Sequence, residues 1–174
     1  MAYSIPQKVF DTYVDIMDNV FIGKVGEKGK SLGIDAVVHY PSLKEVCGNC
    51  TFNTLPGVGA SNIYNGGPYP FSQGEFCPYC NGLGYKQIET TESIRLRAYF
   101  DKKSWSKIRV PIGIKDGSVW TIGKMSDLIK IQRAAYITLP SENNSPLSYT
   151  LFQEPIPWGM KRDRYFSAFW QRGE

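Results

Sequence analysis

The chain has 174 residues, 42% of them apolar and 21% charged, with a formal net charge of +4. This is the composition of a folded globular chain, which excludes disordered and collagen-like classes. No stretch reaches the about 18 consecutive apolar residues of a membrane-spanning helix, so no membrane partner is expected. The charge is milder than a dedicated nucleic-acid binder concentrates, and the 14% aromatic content reads as packing and interface material.

The first segment, 1–40, reads as one helix and one strand. Val9, Phe10, Tyr13, Ile16, Met17 and Val20 recur at helical spacing between Gln7, Lys8, Asp11, Asp15 and Asp18. With Ser4 as cap and Pro6 in the first turn, they predict an amphipathic helix ending near Asn19. Gly23, Gly26, Gly29 and Gly33 then mark turns, and their string lacks the Gly-Lys-Ser/Thr ending of a phosphate loop. Residues 34–40 read as a strand. They contain His39, the only histidine, which is expected to be solvated or hydrogen-bonded because no nucleophile partners it.

The stretch 41–86 holds all four cysteines, as Cys47-Gly48-Asn49-Cys50 and Cys77-Pro78-Tyr79-Cys80, the latter followed by Asn81-Gly82-Leu83-Gly84. Two Cys-x-x-Cys turns aim four sulfurs at one point, the donor set of a structural zinc site, so Cys47, Cys50, Cys77 and Cys80 are the expected ligands of one Zn²⁺ per chain. Disulfides are the first alternative. The start of the chain, Met1-Ala2-Tyr3-Ser4-Ile5-Pro6, has neither the basic residues nor the apolar run of a leader, so a reducing compartment is expected. Redox chemistry is the second. Cys77-Pro78-Tyr79-Cys80 matches the glutaredoxin tetrapeptide, but that site needs a helix to follow, and Gly82 and Gly84 argue against one. Between the knuckles, 51–76 carries five glycines, three prolines and no apolar period, so it is expected as a long loop clamped at its base by the metal. Structural zinc, at roughly 10–16 kcal/mol of apparent binding energy, offsets the cost of ordering such a loop.

Past the second knuckle, 87–154 reads as an antiparallel β domain sharing one core with the first strand. Ile94, Leu96, Ala98 and Phe100 alternate with Arg95, Arg97 and Tyr99, which predicts a half-buried strand with a basic outer face. An edge strand or a strand at a barrel corner is expected over 105–114, where Pro111 breaks the apolar run. Asp116-Gly117 marks a hairpin turn, and 118–122 forms the returning strand. A helical turn over 125–130 and strands at 134–139 and 149–152 complete the series. The final segment, 155–174, is too aromatic and basic for a solvated tail and is expected to pack on this domain or on another subunit. The expected fold is therefore mainly β with an N-terminal helix, a small antiparallel β-barrel or sandwich carrying a zinc-clamped excursion.

No paired carboxylates in a motif and no Ser/His/Asp order are present, so the chain is not read as an enzyme. Two resemblances add to this. Cys77 to Gly84 resembles the Cys-x-x-Cys-x-Gly-x-Gly repeat of DnaJ-type zinc fingers, a local likeness because only two such knuckles exist here and no J-domain accompanies them. More broadly, Phe21-Ile22-Gly23-Lys24, Tyr40-Pro41, Cys47-Gly48-Asn49-Cys50, Gly66-Gly67-Pro68 with Pro70-Phe71, and the second knuckle resemble the neck, or head-completion, proteins of tailed phages. That resemblance covers most of the chain but not 155–174. It implies a structural virion protein, made in the host cytoplasm, that forms a homo-oligomeric ring at the head-to-tail connector against portal and tail proteins. Arg95, Arg97, Lys102, Lys103 and Lys107 would then line a channel and touch passing DNA non-specifically, or meet acidic neighbours. A zinc-ribbon nucleic-acid-binding protein is the alternative, and a thiol oxidoreductase at Cys77 and Cys80 a third reading.

Overall fold

The structure, a computed structural model, describes residues 5–53, 60–101, 105, 113–140, 145–160 and 162–173. The chain forms two compact units, Met1–Pro41 with Thr91–Glu174, and Ser42–Thr90. Its strands are β1 (Ile34–His39), β2 (Leu43–Val46), β3 (Cys50–Asn53), β4 (Ala60–Tyr64), β5 (Tyr85–Ile88), β6 (Thr91–Tyr99), β7 (Val119–Lys124), β8 (Tyr136–Leu139), β9 (Leu147–Leu151), β10 (Ile156–Trp158) and β11 (Tyr165–Arg172).

The first unit is mainly β, with a closed six-stranded antiparallel barrel in the order β11-β7-β6-β1-β8-β9 and back to β11. Closure depends on β11. Tyr165 to Trp170 pair with β7 on one edge, while the other edge is divided between β10, at Tyr165 to Ser167, and β9, at Trp170 to Arg172. The inward side chains of alternate positions fill the interior: Ala36 and Val38 from β1, Ile94 and Leu96 from β6, Val119 from β7, Phe166, Ala168 and Trp170 from β11. The indole N–H of Trp170 donates to Thr121 Oγ1 at 2.8 Å, so the one polar atom of that ring is satisfied inside the core.

Within the final segment, β11 is thus part of the barrel wall. Tyr165, Phe166, Phe169 and Trp170 are all buried in their own unit, the first of the two placements expected for these rings. Alternation alone accounts for them, with Phe166 and Trp170 turned inward and Tyr165 joining an outer cluster with Met17, Ile22 and Ile122.

The helix α1 (Gln7–Asp15) starts two residues later than expected, with Pro6 as its cap residue rather than in the first turn. It also runs past Asn19, because Ile16–Ile22 continues it as a wider coil. There the Gly23 N–H reaches Asp18 O, five residues back, at 3.0 Å, and Gly23 ends the helix at φ +79°. Of the predicted apolar stripe, Phe10 and Met17 are buried, whereas Val9, Ile16 and Val20 are exposed. A second short helix, α2 (Leu128–Arg133), follows a 3-10 turn at Met125–Asp127 and places Ile131 in the barrel core. The strand expected over 105–114 falls largely outside the described residues.

Arg95 departs from the expected basic outer face. It lies opposite Asp35 on β1, is 5% exposed, and its Nη1 sits 2.8 Å from Asp35 Oδ1. Nε donates to Ile22 O at 3.3 Å, and Nη2 to Glu27 O at 3.0 Å and Ser31 Oγ at 3.1 Å. The alternation is real, but Glu27 and Ser31 of the glycine-rich 23–33 connection, with Ile22 before it and Asp35 after it, engage all three nitrogens of the outward guanidinium, which leaves little of Arg95 exposed to a channel or a phosphate. Arg97 also reaches this connection, donating to Leu32 O, with its guanidinium 4.9 Å from the Tyr99 ring. Lys102, Lys103 and Lys107 lie outside the described residues.

Two predictions follow from this packing. Arg95→Ala leaves a carboxylate and two carbonyls without their donor and is expected to cost about 3 kcal/mol by chemical denaturation, the low end for a buried pair because Asp35 keeps some solvent. Arg97→Ala is expected to cost about 1 kcal/mol. Burial, then the adjacent Asp18 carboxylate and its hydrogen bond, push the Tyr165 phenol up to about 12, and burial also raises Tyr13. Since an unfolded phenol ionises near about 10, the stability held by Tyr165 is complete below that pH and lost as pH rises towards 12. A stability-against-pH curve should therefore fall over that range, and fall less in Tyr165→Phe.

Candidate metal centre

The second unit, Ser42–Thr90, contains two small antiparallel sheets, β2 with β5 and β3 with β4. The stretch expected as bare loop therefore carries strand. These strands have four or five residues each, and β2 is exposed along its whole length, so no apolar alternation announces them. A lone two-stranded ribbon is marginal in water, and what lies between the two ribbons is the cysteine cluster. Cys47 directly follows β2, Cys50 opens β3, and Cys77 and Cys80 lie in the turn that leads to β5.

All four sulfurs lie within 4.8 Å of one another, and each cysteine is at most 5% exposed. Cys47 Sγ is 4.0 Å from Cys77 Sγ and Cys50 Sγ is 3.5 Å from Cys80 Sγ. A disulfide requires about 2.0 Å, and the cysteines are free. Four thiolates about 2.3 Å from a central ion stand about 3.8 Å apart, and the 3.5 and 4.0 Å pairs lie on either side of that value. The sequence-predicted ligands are thus brought together, close enough to hold a metal ion and compatible with zinc.

The groups around the sulfurs also fit an ion held by thiolates. Gly84 N–H donates to Cys80 Sγ at 3.3 Å and the Asn49 side-chain amide to Cys77 Sγ at 3.3 Å. The Ser61 hydroxyl is buried and satisfied by no well-formed hydrogen bond, but it lies beside Cys50 and favours its thiolate, so a metal-bound sulfur there gives it an acceptor. Burial resists ionisation of Cys77, but hydrogen bonds from Asn49 and from the backbone of Cys80 and Tyr79 outweigh it and lower the thiol to about 6. Burial pushes Cys50 up, and the crowded neighbouring thiols add to the rise. Four sulfurs in one dry pocket thus compete for protons, and a dication removes the conflict.

The second knuckle is shaped by its glycines. Asn81, Gly82 and Gly84 all have positive φ, 53°, 78° and 77°, so Cys80 leads into left-handed turns and not into a helix. The glutaredoxin-like tetrapeptide therefore lacks the helix N-terminus that activates such a thiol, and Cys77 is 0% exposed. A Cβ on Gly84 would lie 2.8 Å from both Phe52 and Ser61, so only glycine lets this backbone approach the sulfur.

His39 is apart from these groups in the chain's first unit. It stacks on Tyr136 with ring centroids 4.3 Å apart, and its Nε2 lies 3.2 Å from Thr138 Oγ1. The residues that sequence reasoning passed over are Asn49 and Ser61. Asn49 stood in the first Cys-x-x-Cys turn, where a buried amide is a signal in retrospect, whereas Ser61 has no local signal because β4 brings it in from across the excursion.

No protein-family model matches the chain, and comparisons with curated proteins and with solved structures give no match.

Replacing Cys50 or Cys80 by Ser is expected to speed proteolysis within 51–76 at least tenfold while the barrel unit keeps its unfolding midpoint. Gly84→Ala, which is strained both by its φ and by contact, is expected to have the same regional effect, at about 1–3 kcal/mol. Limited proteolysis with mapped cleavage sites checks both.

Proposed function

We propose that the protein is a structural subunit in which a zinc ion, held by Cys47, Cys50, Cys77 and Cys80, braces a contact-making excursion from a β-barrel. The observation that carries this reading is the donor set: four buried protein sulfurs within 4.8 Å of one another would fill a tetrahedral shell and leave no position for a substrate. Zinc is favoured over other ions by an all-thiolate tetrahedron of this size, and such a site supplies rigidity and no chemistry of its own.

The surface of the braced unit supports a role in protein contact. Val46 is 85% exposed and Leu43 and Phe76 each 68%, with Phe52, Tyr69 and Leu83 also exposed. Against this apolar display, Ser42–Thr90 carries only Lys44 and Lys86 with Glu45, Glu75 and Glu89 as charged residues. Exposed apolar side chains with so little charge favour a protein partner. Phosphate recognition asks for basic clusters, so the zinc-ribbon nucleic-acid reading is the weaker alternative. The engagement of Arg95 by Asp35 points the same way.

The resemblance to tailed-phage neck proteins gives the subunit its place, a homo-oligomeric ring at the head-to-tail connector in the virion, in contact with portal and tail proteins. No helix among the described residues is long and apolar enough to cross a membrane. The test is the mass of the purified native protein in solution. A closed ring of several copies that dissociates when the metal is chelated is the expected result. A monomer that binds single-stranded DNA with a steep salt dependence would replace this reading by the alternative.

A further inference from the structure

Asn49 makes more contacts than a residue of a simple sulfur turn requires. It is 0% exposed. Its Nδ2 donates both to Cys77 Sγ at 3.3 Å and to Tyr69 O at 2.8 Å, and its Oδ1 accepts from Tyr69 N–H at 2.8 Å. Its backbone carbonyl accepts from Asn65 N–H at 3.1 Å. The amide can face only one way, since a flip would set Oδ1 against a carbonyl and a sulfur and Nδ2 against an N–H. The turn between Asn65 and Tyr69 lies directly on this side chain, where a Cβ on Gly67 would come within 2.4 Å of Asn49 Oδ1. On the far side of the turn, Tyr69 stacks on Tyr79 of the second knuckle at 5.1 Å, and Lys86 Nζ sits 3.7 Å over the Tyr79 ring.

We infer that Asn49 is a positioning residue that couples metal loading at the four cysteines to the shape of the turn 65–71 and to the Tyr69–Tyr79 stack displayed on it. The inference rests on the metal-brace reading. An ion at the centre of the four sulfurs fixes where Cys77 Sγ sits, and the Asn49 amide that donates to that sulfur at 3.3 Å is fixed with it. Loading the site therefore fixes the Asn49 amide, and the fixed amide presents one donor and one acceptor to the backbone of Tyr69. Loss of the metal frees the amide, and the turn loses its anchor together with the knuckle beneath Tyr79. The exposed aromatic surface of this unit is in this way conditional on the metal, although none of its rings touches a sulfur through its own polar atoms among the described contacts.

The test uses the full chain, wild type and Asn49→Ala, loaded with cadmium. The readouts are bound metal per chain, the ¹¹³Cd resonance, and amide hydrogen exchange at Asn65 and Tyr69. Wild type is expected to hold one ion and to lose protection at both amides at least tenfold on chelation. Loaded Asn49→Ala should show the same loss with the ion still bound, a shifted ¹¹³Cd resonance that reports the missing bond to Cys77, and metal affinity lower by about 10–100-fold. A merely structural gap would leave the resonance in place. Wild-type protection in loaded Asn49→Ala overturns the inference while leaving the brace intact. Should that variant fail to hold metal, the wild-type chain decides: a turn that keeps its protection after chelation, while the knuckle amides of Cys47 and Gly84 lose theirs, overturns the coupling. A wild-type chain that binds no metal overturns the brace itself, and the coupling with it.

Discussion

The convergence of four sulfurs within 4.8 Å, carried in pairs by two turns 30 residues apart, is the constraint on which the second unit depends. Its ribbons are too short and too exposed to hold themselves, as the fully exposed β2 shows. Backbone bonds radiate from the cluster: Cys47 N–H to Gly84 O at 2.9 Å, Cys77 N–H to Ser61 O at 2.9 Å and Ser61 N–H to Gly82 O at 3.0 Å. These tie the end of β2, the middle of the excursion and the start of β5 into one frame. Among the described residues, the partly buried Phe71 and Tyr79 pack against the cysteines, so a metal held there would supply what a hydrophobic core supplies elsewhere.

The barrel unit is built on the opposite principle. Its interior is a continuous set of alternating aliphatic and aromatic side chains, closed by a strand that pairs along its whole length. The helix packs against an outer cluster of Tyr165, Ile122 and neighbouring rings, and the connection after it is held by the guanidinium of Arg95. One arginine thus ties Ile22, Glu27 and Ser31 together, beside the backbone hydrogen bonds that the connection makes for itself.

Much of this was legible in the sequence because the relevant signals are local. Period-two alternation at Ile94, Leu96 and Ala98 marked β6, and the Cys-x-x-Cys spacings marked the cluster. What escaped was set by distant parts of the chain. Arg95 reads as a solvent-facing residue until the 23–33 connection is seen to fold over it. The aromatic run at Tyr165 to Trp170 reads equally well as an interface, and only its pairing with both β7 and β9 makes it a barrel wall. Asn49 and Ser61 took on meaning when the excursion closed on itself, and the short ribbons around them are ordered by the cluster and not by their own propensity.

The central claim is that one ion, ligated by sulfur alone, holds this unit in shape. X-ray absorption at the metal edge, on protein purified without added metal, tests it most directly. The account predicts about one zinc per chain with four sulfurs at about 2.3 Å and no lighter atom in the shell. A shell containing nitrogen or oxygen, or a metal-free chain whose sulfurs are joined to one another, would contradict it.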